Sequence, residues 1–305
     1  MLLPILLAAL PQAPQAGQTG PQAPIAPTPK PTGTLLVSGF NSGAVHVYDA
    51  PTAAFEGLVP SVAGAQSIVR GPDGLLYACA EGANEVLRID PESLTVVDAF
   101  VFDDLLTIPD ETGGLAGPTS AVFGPDGNLY VASFNTDAIL RYDGATGAFL
   151  DVFVASGSGG LDGPDAGTTF GPDGHLYVPS FWNNRVLRFD GRTGASLGTF
   201  ISAQPSNLSR PRDVKFHEGS VYVASSGNNR VLRYDLAGNS LGIFVTTGTP
   251  YSLAFHPGTG NLYVANLGPN RVNLFDGTTG AHIGRPVSSG EGGLDGATWV
   301  YLLEP

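Results

Sequence analysis

Two sets of side chains in this sequence have the types and spacing to meet a ligand. The first follows a recurring apolar segment of the Leu-Tyr-Val-Ala-Ser kind, in the loops GFNSGA, EGANE, SFNTDA, SFWNNR, SSGNNR and NLGPNR. These loops carry Phe40, Phe134, Phe181 and Trp182, with Asn41, Asn135, Asn183 and Asn184 beside them. Aromatic rings offer flat apolar area, and amides offer donors and acceptors side by side. Together they suit a sugar or a peptide. The same residues also have a plain structural use: rings can plug gaps between repeats and amides can hold turns. The second set opens each repeat and comprises Gln66, Thr119, Asp165, Arg212, Asp213 and Tyr251. Asp165 and Asp213 fall in adjacent repeats. Oxygen donors of this kind select hard cations such as calcium. Two carboxylates are a small donor set, and Arg212 is at hand to neutralise one of them.

Other chemistry finds little support. Of the five histidines, His175, His217 and His256 sit in or beside the first hairpin turn of a repeat, His46 lies inside a strand and His282 lies near an outer one. No pair has the spacing of metal ligands. There is no GxSxG elbow, P-loop or dinucleotide fingerprint. Seven of the twelve arginines, from Arg88 to Arg271, recur at repeat positions, where hydrogen bonding between strands or blades occupies them. The net charge of −13 disfavours nucleic acid, whose affinity comes from Lys and Arg on phosphates. An anionic membrane surface makes the same demand. The single cysteine, Cys79, forms no internal disulfide and reads as a small buried residue.

The elements that position these residues come from a repeat. Its clearest copies run from Phe123 to Val154 and from Phe170 to Ile201, with others at Gly71–Val101, Phe216–Val245 and Phe255–Val287. A partial copy runs from Gly33 to Val59. The aspartate that ends the third strand falls at 49, 90, 143, 190, 235 and 276, in steps of 41, 53, 47, 45 and 41. A four-stranded propeller blade takes about 40–50 residues. GPDG turns join first to second strands, and DGxTG turns join third to fourth, with the aspartate placed to accept backbone N–H bonds. Segments such as LYVAS are apolar on both faces, as blades packed between two neighbours require. The expected fold is therefore all-β: a six-bladed propeller of four-stranded antiparallel blades. The first copy lacks a first strand. The segment GGLDGATWVYLL near the C-terminus resembles the lead-ins GGLAGPTSAVF and GGLDGPDAGTTF, so Thr298 to Leu302 is expected to pair into blade one and close the ring.

The stretch RPRDVKFHEGSVYVASSGNNRVLRYD, Arg210 to Asp235, resembles an NHL repeat, with its Pro, turn, aliphatic-Tyr-Val-Ala strand, Asn-Arg-Val and aromatic-Asp. The likeness covers residues 33 to 305 and implies a six-bladed ring. NHL-like propellers include protein-, RNA- and glycan-binding platforms as well as enzymes, so the likeness implies no single function. Gluconolactonase-type propellers hold a channel metal with a Glu, Asn residues and an Asp; the Glu of the first blade's inner strand is missing here. Streptogramin lyases resemble the chain in their DG-turn repeats, but carry a Trp-Phe-Thr-Glu-like second strand where this chain has LYVAS.

The start, MLLPILLAALPQAPQA, reads as a signal peptide over residues 1–16, and residues 17–32 read as a Pro-rich linker. The propeller then spans 33–305. The reading is a secreted or periplasmic monomer acting as a non-enzymatic scaffold for protein, peptide or glycan. Its ligand face is expected to carry Phe40, Phe134, Phe181, Trp182, Asn183, Arg212 and Tyr251. The alternative is a propeller hydrolase or lyase with a divalent metal at the channel mouth.

Overall fold

The computed structural model describes residues 33–103 and 111–304. The leader and linker expected over residues 1–32 lie outside the described residues. The rest forms six four-stranded sheets, each an antiparallel blade. The innermost strands are Ala297–Leu303 in blade one, Ala65–Arg70 in two, Pro118–Phe123 in three, Thr169–Phe170 in four, Pro211–His217 in five and Pro250–Phe255 in six. The second strands, such as Leu76–Ala80 and Leu129–Ser133, are buried along their whole length. Their uniform apolar character follows from packing between two neighbouring blades.

Closure occurs as the lead-in likeness implied. The Ala297–Leu303 strand pairs antiparallel with Thr34–Gly39, setting Thr34 opposite Leu303 and Val37 opposite Val300. The join between the chain's two ends is thus a full ladder, and blade one keeps no open inner edge.

One aromatic device recurs between blades. Tyr77 holds Phe100 of its own blade and Phe123 of the next edge-on, with centroids 5.0 and 4.9 Å away. Tyr130, Tyr177 and Tyr222 repeat this with Phe153 and Phe170, Phe200 and Phe216, and Phe244 and Phe255, the last ring being tilted and not edge-on. Edge-to-face pairs are worth about 0.5–1.5 kcal/mol beyond burial, so each triad ties two blades together. Turn aspartates act as anticipated. Asp143, Asp190 and Asp276 each accept bonds from the backbone N–H of Thr146, Thr193 and Thr279, at 2.8, 3.0 and 2.7 Å. Hydrogen bonds from the turn hold all three carboxyls below the ordinary range. Arg88 and Arg141 bond across strands to Asp98 and Asp151. Cys79 is buried beside Ser67, and burial pushes its thiol up to about 12.

Candidate functional site

The repeat places one residue from each blade at the same height around the channel. The residue directly after each second strand is Phe40, Glu81, Phe134, Phe181, Ser226 or Leu267. A deeper ring comes from the tips of the first strands: Thr298, Gln66, Thr119, Asp165, Arg212 and Tyr251. β-Bulges put these deeper residues there. Register shifts fall between Pro118 and Ser120, Pro250 and Ser252, and Pro211 and Val214, which leaves Thr119, Tyr251 and Arg212 out of the ladder. An unpaired bulge residue is free to be re-aimed, here toward the channel. Blade four goes further. Pro164 makes an isolated bridge to Ser180, the strand resumes only at Thr169, and Asp165 sits in the gap.

A cavity of about 430 Å³ opens at this mouth, lined by members of both rings together with Trp182 and Arg210. Its wall is aromatic. Phe181 is only 4% exposed, while Trp182 is 55% exposed and stands edge-on to it at 4.6 Å. Phe134 closes the cluster at 6.0 Å from Phe181 and 6.2 Å from Trp182. Gly163 makes room for it: a Cβ there would lie 2.8 Å from the Trp182 ring and 3.1 Å from that of Phe134.

The floor is a polar chain across the channel. Arg212 donates through Nη1 to Asp165 Oδ2 at 2.9 Å and to the Tyr251 hydroxyl at 3.1 Å. Its guanidinium lies between the Phe181 and Tyr251 rings, 4.1 and 4.4 Å from their centroids. Its Nε is buried without a hydrogen-bond partner among the described residues. Burial pushes the Asp165 carboxyl up against the pull of Arg212. Burial opposes the Arg212 charge most strongly, but Asp165, Tyr251 and Glu81 together raise its pKa. On the other side Gln66 donates to the Glu81 carboxylate. Burial raises the Glu81 pKa against the Gln66 hydrogen bond, with nearby Asp165 adding to the rise and Arg212 opposing it.

Six of the seven expected ligand residues, Phe40, Phe134, Phe181, Trp182, Arg212 and Tyr251, converge on this cavity. Asn183 does not. Its amide donates to the Gly160 carbonyl and holds the loop. The side chains that end these loops, four amides and one carboxylate, are structural as well. Asn84, Asp137, Asn184, Asn229 and Asn270 all adopt positive φ and accept an N–H from the following blade's lead-in. The two carboxylates considered for a cation are also committed. Asp165 serves Arg212, while Asp213 is fully buried, accepts the Leu253 N–H at 2.7 Å and lies 3.4 Å from Lys215 Nζ. Among the described residues no group of three or more His, Cys, Asp or Glu side chains is placed to hold a metal ion. Glu81 is the residue that sequence reading missed. Its signal was register: it fills in blade two the position that Phe40, Phe134 and Phe181 fill elsewhere.

The opposite channel mouth also holds a cavity, lined by Lys215, His217, Trp299 and regular inner-strand residues such as Ala121 and Leu253. Lys215 there lies 4.7 Å over the Trp299 ring and next to Asp213, so its charge is already partnered. The upper mouth differs from blade to blade; the lower one is mostly the repeat itself.

No model of a known protein family matches the chain. No curated protein matches it either. Solved structures do. A protein of unknown function from Bacteroides caccae superposes with a TM-score of 0.67 at 15% identity, covering 90% of this chain and 100% of that one. A chain of the nidogen/laminin complex gives 0.68 at 14%, covering 88% and 98%. Streptogramin B lyase gives 0.56 at 15%, covering 81% and 77%. At such identities the likeness carries the six-bladed fold alone, and the NHL resemblance stays one of pattern. A protein complex and a lyase share this ring, so the site, not the fold, must argue function.

Proposed function

We propose that the protein is an extracytoplasmic, non-enzymatic binding module that takes a protein segment, peptide or glycan at the upper channel mouth. The observation that carries this reading is Trp182, a large apolar ring left 55% exposed on the rim of a cavity of about 430 Å³. Exposed apolar area of this kind gains on the order of 1–3 kcal/mol when a ligand covers it. The cavity falls within the volume range of sites for compact ligands. The apolar run Leu2–Leu10 supports export. A metal-assisted hydrolase or lyase needs several donors converging on one point. The carboxylates first considered for that task are held by Arg212, Lys215 and a backbone N–H.

The chain has two tryptophans, and the other, Trp299, is 6% exposed, so Trp182 is a built-in reporter. A panel of peptides and oligosaccharides titrated against tryptophan emission should yield binders that shift it saturably. In Trp182→Ala, calorimetry should then find those binders at least about tenfold weaker, equivalent to 1.4 kcal/mol. Binders that ignore the substitution would remove the mouth from consideration.

A further inference from the structure

The charges at the mouth are unevenly paired. Arg212 and Asp165 neutralise one another across 2.9 Å, and Lys215 stands against Asp213 lower in the channel. Arg210 is solvent-exposed on the rim, 5.7 Å from the Phe181 centroid, where water screens it. Glu81 is different. It is half-buried in the cavity lining, and its hydrogen-bond partner is the neutral amide of Gln66. In the order of blades it stands between Phe40 and Phe134, and Trp182 belongs to the same cavity. Glu81 thus makes no ion pair among the described residues and shares its cavity with aromatic rings, while the Arg212 charge reaches it from beside Asp165.

A carboxylate in such surroundings is costly to keep charged, because burial removes water and the Arg212 charge, shared with Asp165, returns only part of what is lost. Aromatic faces meanwhile attract cations through their quadrupoles. The molecule already uses this chemistry beside the cavity, where Arg212 is sandwiched between Phe181 and Tyr251. A neutral sugar entering the mouth would offer Glu81 hydroxyl hydrogen bonds but no counter-charge. An anion would meet it directly. A ligand with an alkylammonium or quaternary ammonium head would neutralise Glu81 and lie against the rings.

We propose that the upper mouth selects ligands bearing a cationic ammonium group, with Glu81 as counter-ion and Phe40, Phe134 and Trp182 as the aromatic wall. This rests on the mouth being the binding site, and deepens that reading by naming the ligand's charge.

The test compares choline with 3,3-dimethylbutan-1-ol, its neutral isostere, by calorimetry and by Trp182 emission. Choline should bind at least about tenfold more tightly, a difference of roughly 1.4 kcal/mol. Glu81→Gln keeps the shape and the bond to Gln66, so it should fold normally and lose the preference. Equal affinity for the two compounds, with Trp182 responding to both, would overturn the charge selectivity and leave the mouth as the site. A choline preference that survives in Glu81→Gln would overturn the role of Glu81. No response to choline at Trp182, alongside peptide or glycan binders that do shift it, would overturn the cation proposal alone.

Discussion

Trp182 and Phe181 are neighbours in the chain with opposite duties. Phe181 is buried, with the Arg212 guanidinium on its face. Phe181→Ala should cost about 3–5 kcal/mol in urea unfolding, as buried phenylalanine truncations do. Trp182→Ala should cost about 1 kcal/mol, the value of an exposed ring's edge contacts. Similar losses for both would mean that Trp182 is packing, not binding, surface. Glu81 adds a test with a definite sign. Its folded pKa is raised, so its charge opposes folding above that pKa, and the penalty fades as pH falls toward the unfolded value near 4.3. Glu81→Gln should therefore raise the melting temperature at pH 7 and match the wild type near pH 3. A lower melting temperature at pH 7 would contradict the burial argument. At this scale the sequence revealed the aromatics and Arg212, because they break an otherwise regular repeat. It hid Glu81, because an acidic residue in a loop of a chain with net charge −13 looks like solvated surface. It also singled out Asn183, whose amide the structure gives to the Gly160 carbonyl, because loop amides satisfy backbone groups as readily as they meet ligands.

Among the elements, turns and bulges divide the labour. The GPDG and DGxTG turns were legible because Gly and Asp have strict conformational reasons to be there. Asp143, Asp190 and Asp276 have depressed folded pKa values, so their contribution is present above the unfolded pKa near 3.9 and is lost as pH falls through the folded values. The triple Asp→Asn variant should melt below the wild type at pH 7, and the gap should close as pH falls through the folded values. A gap independent of pH would assign the effect to turn geometry instead of charge. The channel-facing bulges were not legible. Thr119 and Tyr251 leave the ladder through a register shift that no residue pattern announces. The same holds for blade four, where only Thr169–Phe170 survives as regular inner strand. The lead-in leucines Leu115, Leu161 and Leu294 are all buried, which explains why the GGL phrase recurs.

The whole molecule depends on closure. The C-terminal strand supplies blade one's inner edge, and Trp299 donates its indole N–H to the Ile68 carbonyl of blade two at 3.1 Å. Deleting Asp295–Pro305 should open Thr34–Gly39 to solvent and lower the melting temperature strongly, or prevent folding. A truncated protein that melts like the full chain would refute the closure account. The ring was visible in the sequence because six near-equal steps and a missing first strand admit few other arrangements. The difference between the two mouths was visible only as uneven loops. The two tryptophans separate the two mouths, since Trp182 lines the upper cavity and Trp299 the lower. The decisive measurement is a two-dimensional proton–nitrogen spectrum of labelled protein titrated with choline and the peptide and glycan panel. Saturable movement of the Trp182 indole signal, with that of Trp299 still, is the predicted result. Movement of Trp299 with Trp182 unmoved would put the site at the other mouth and contradict the account.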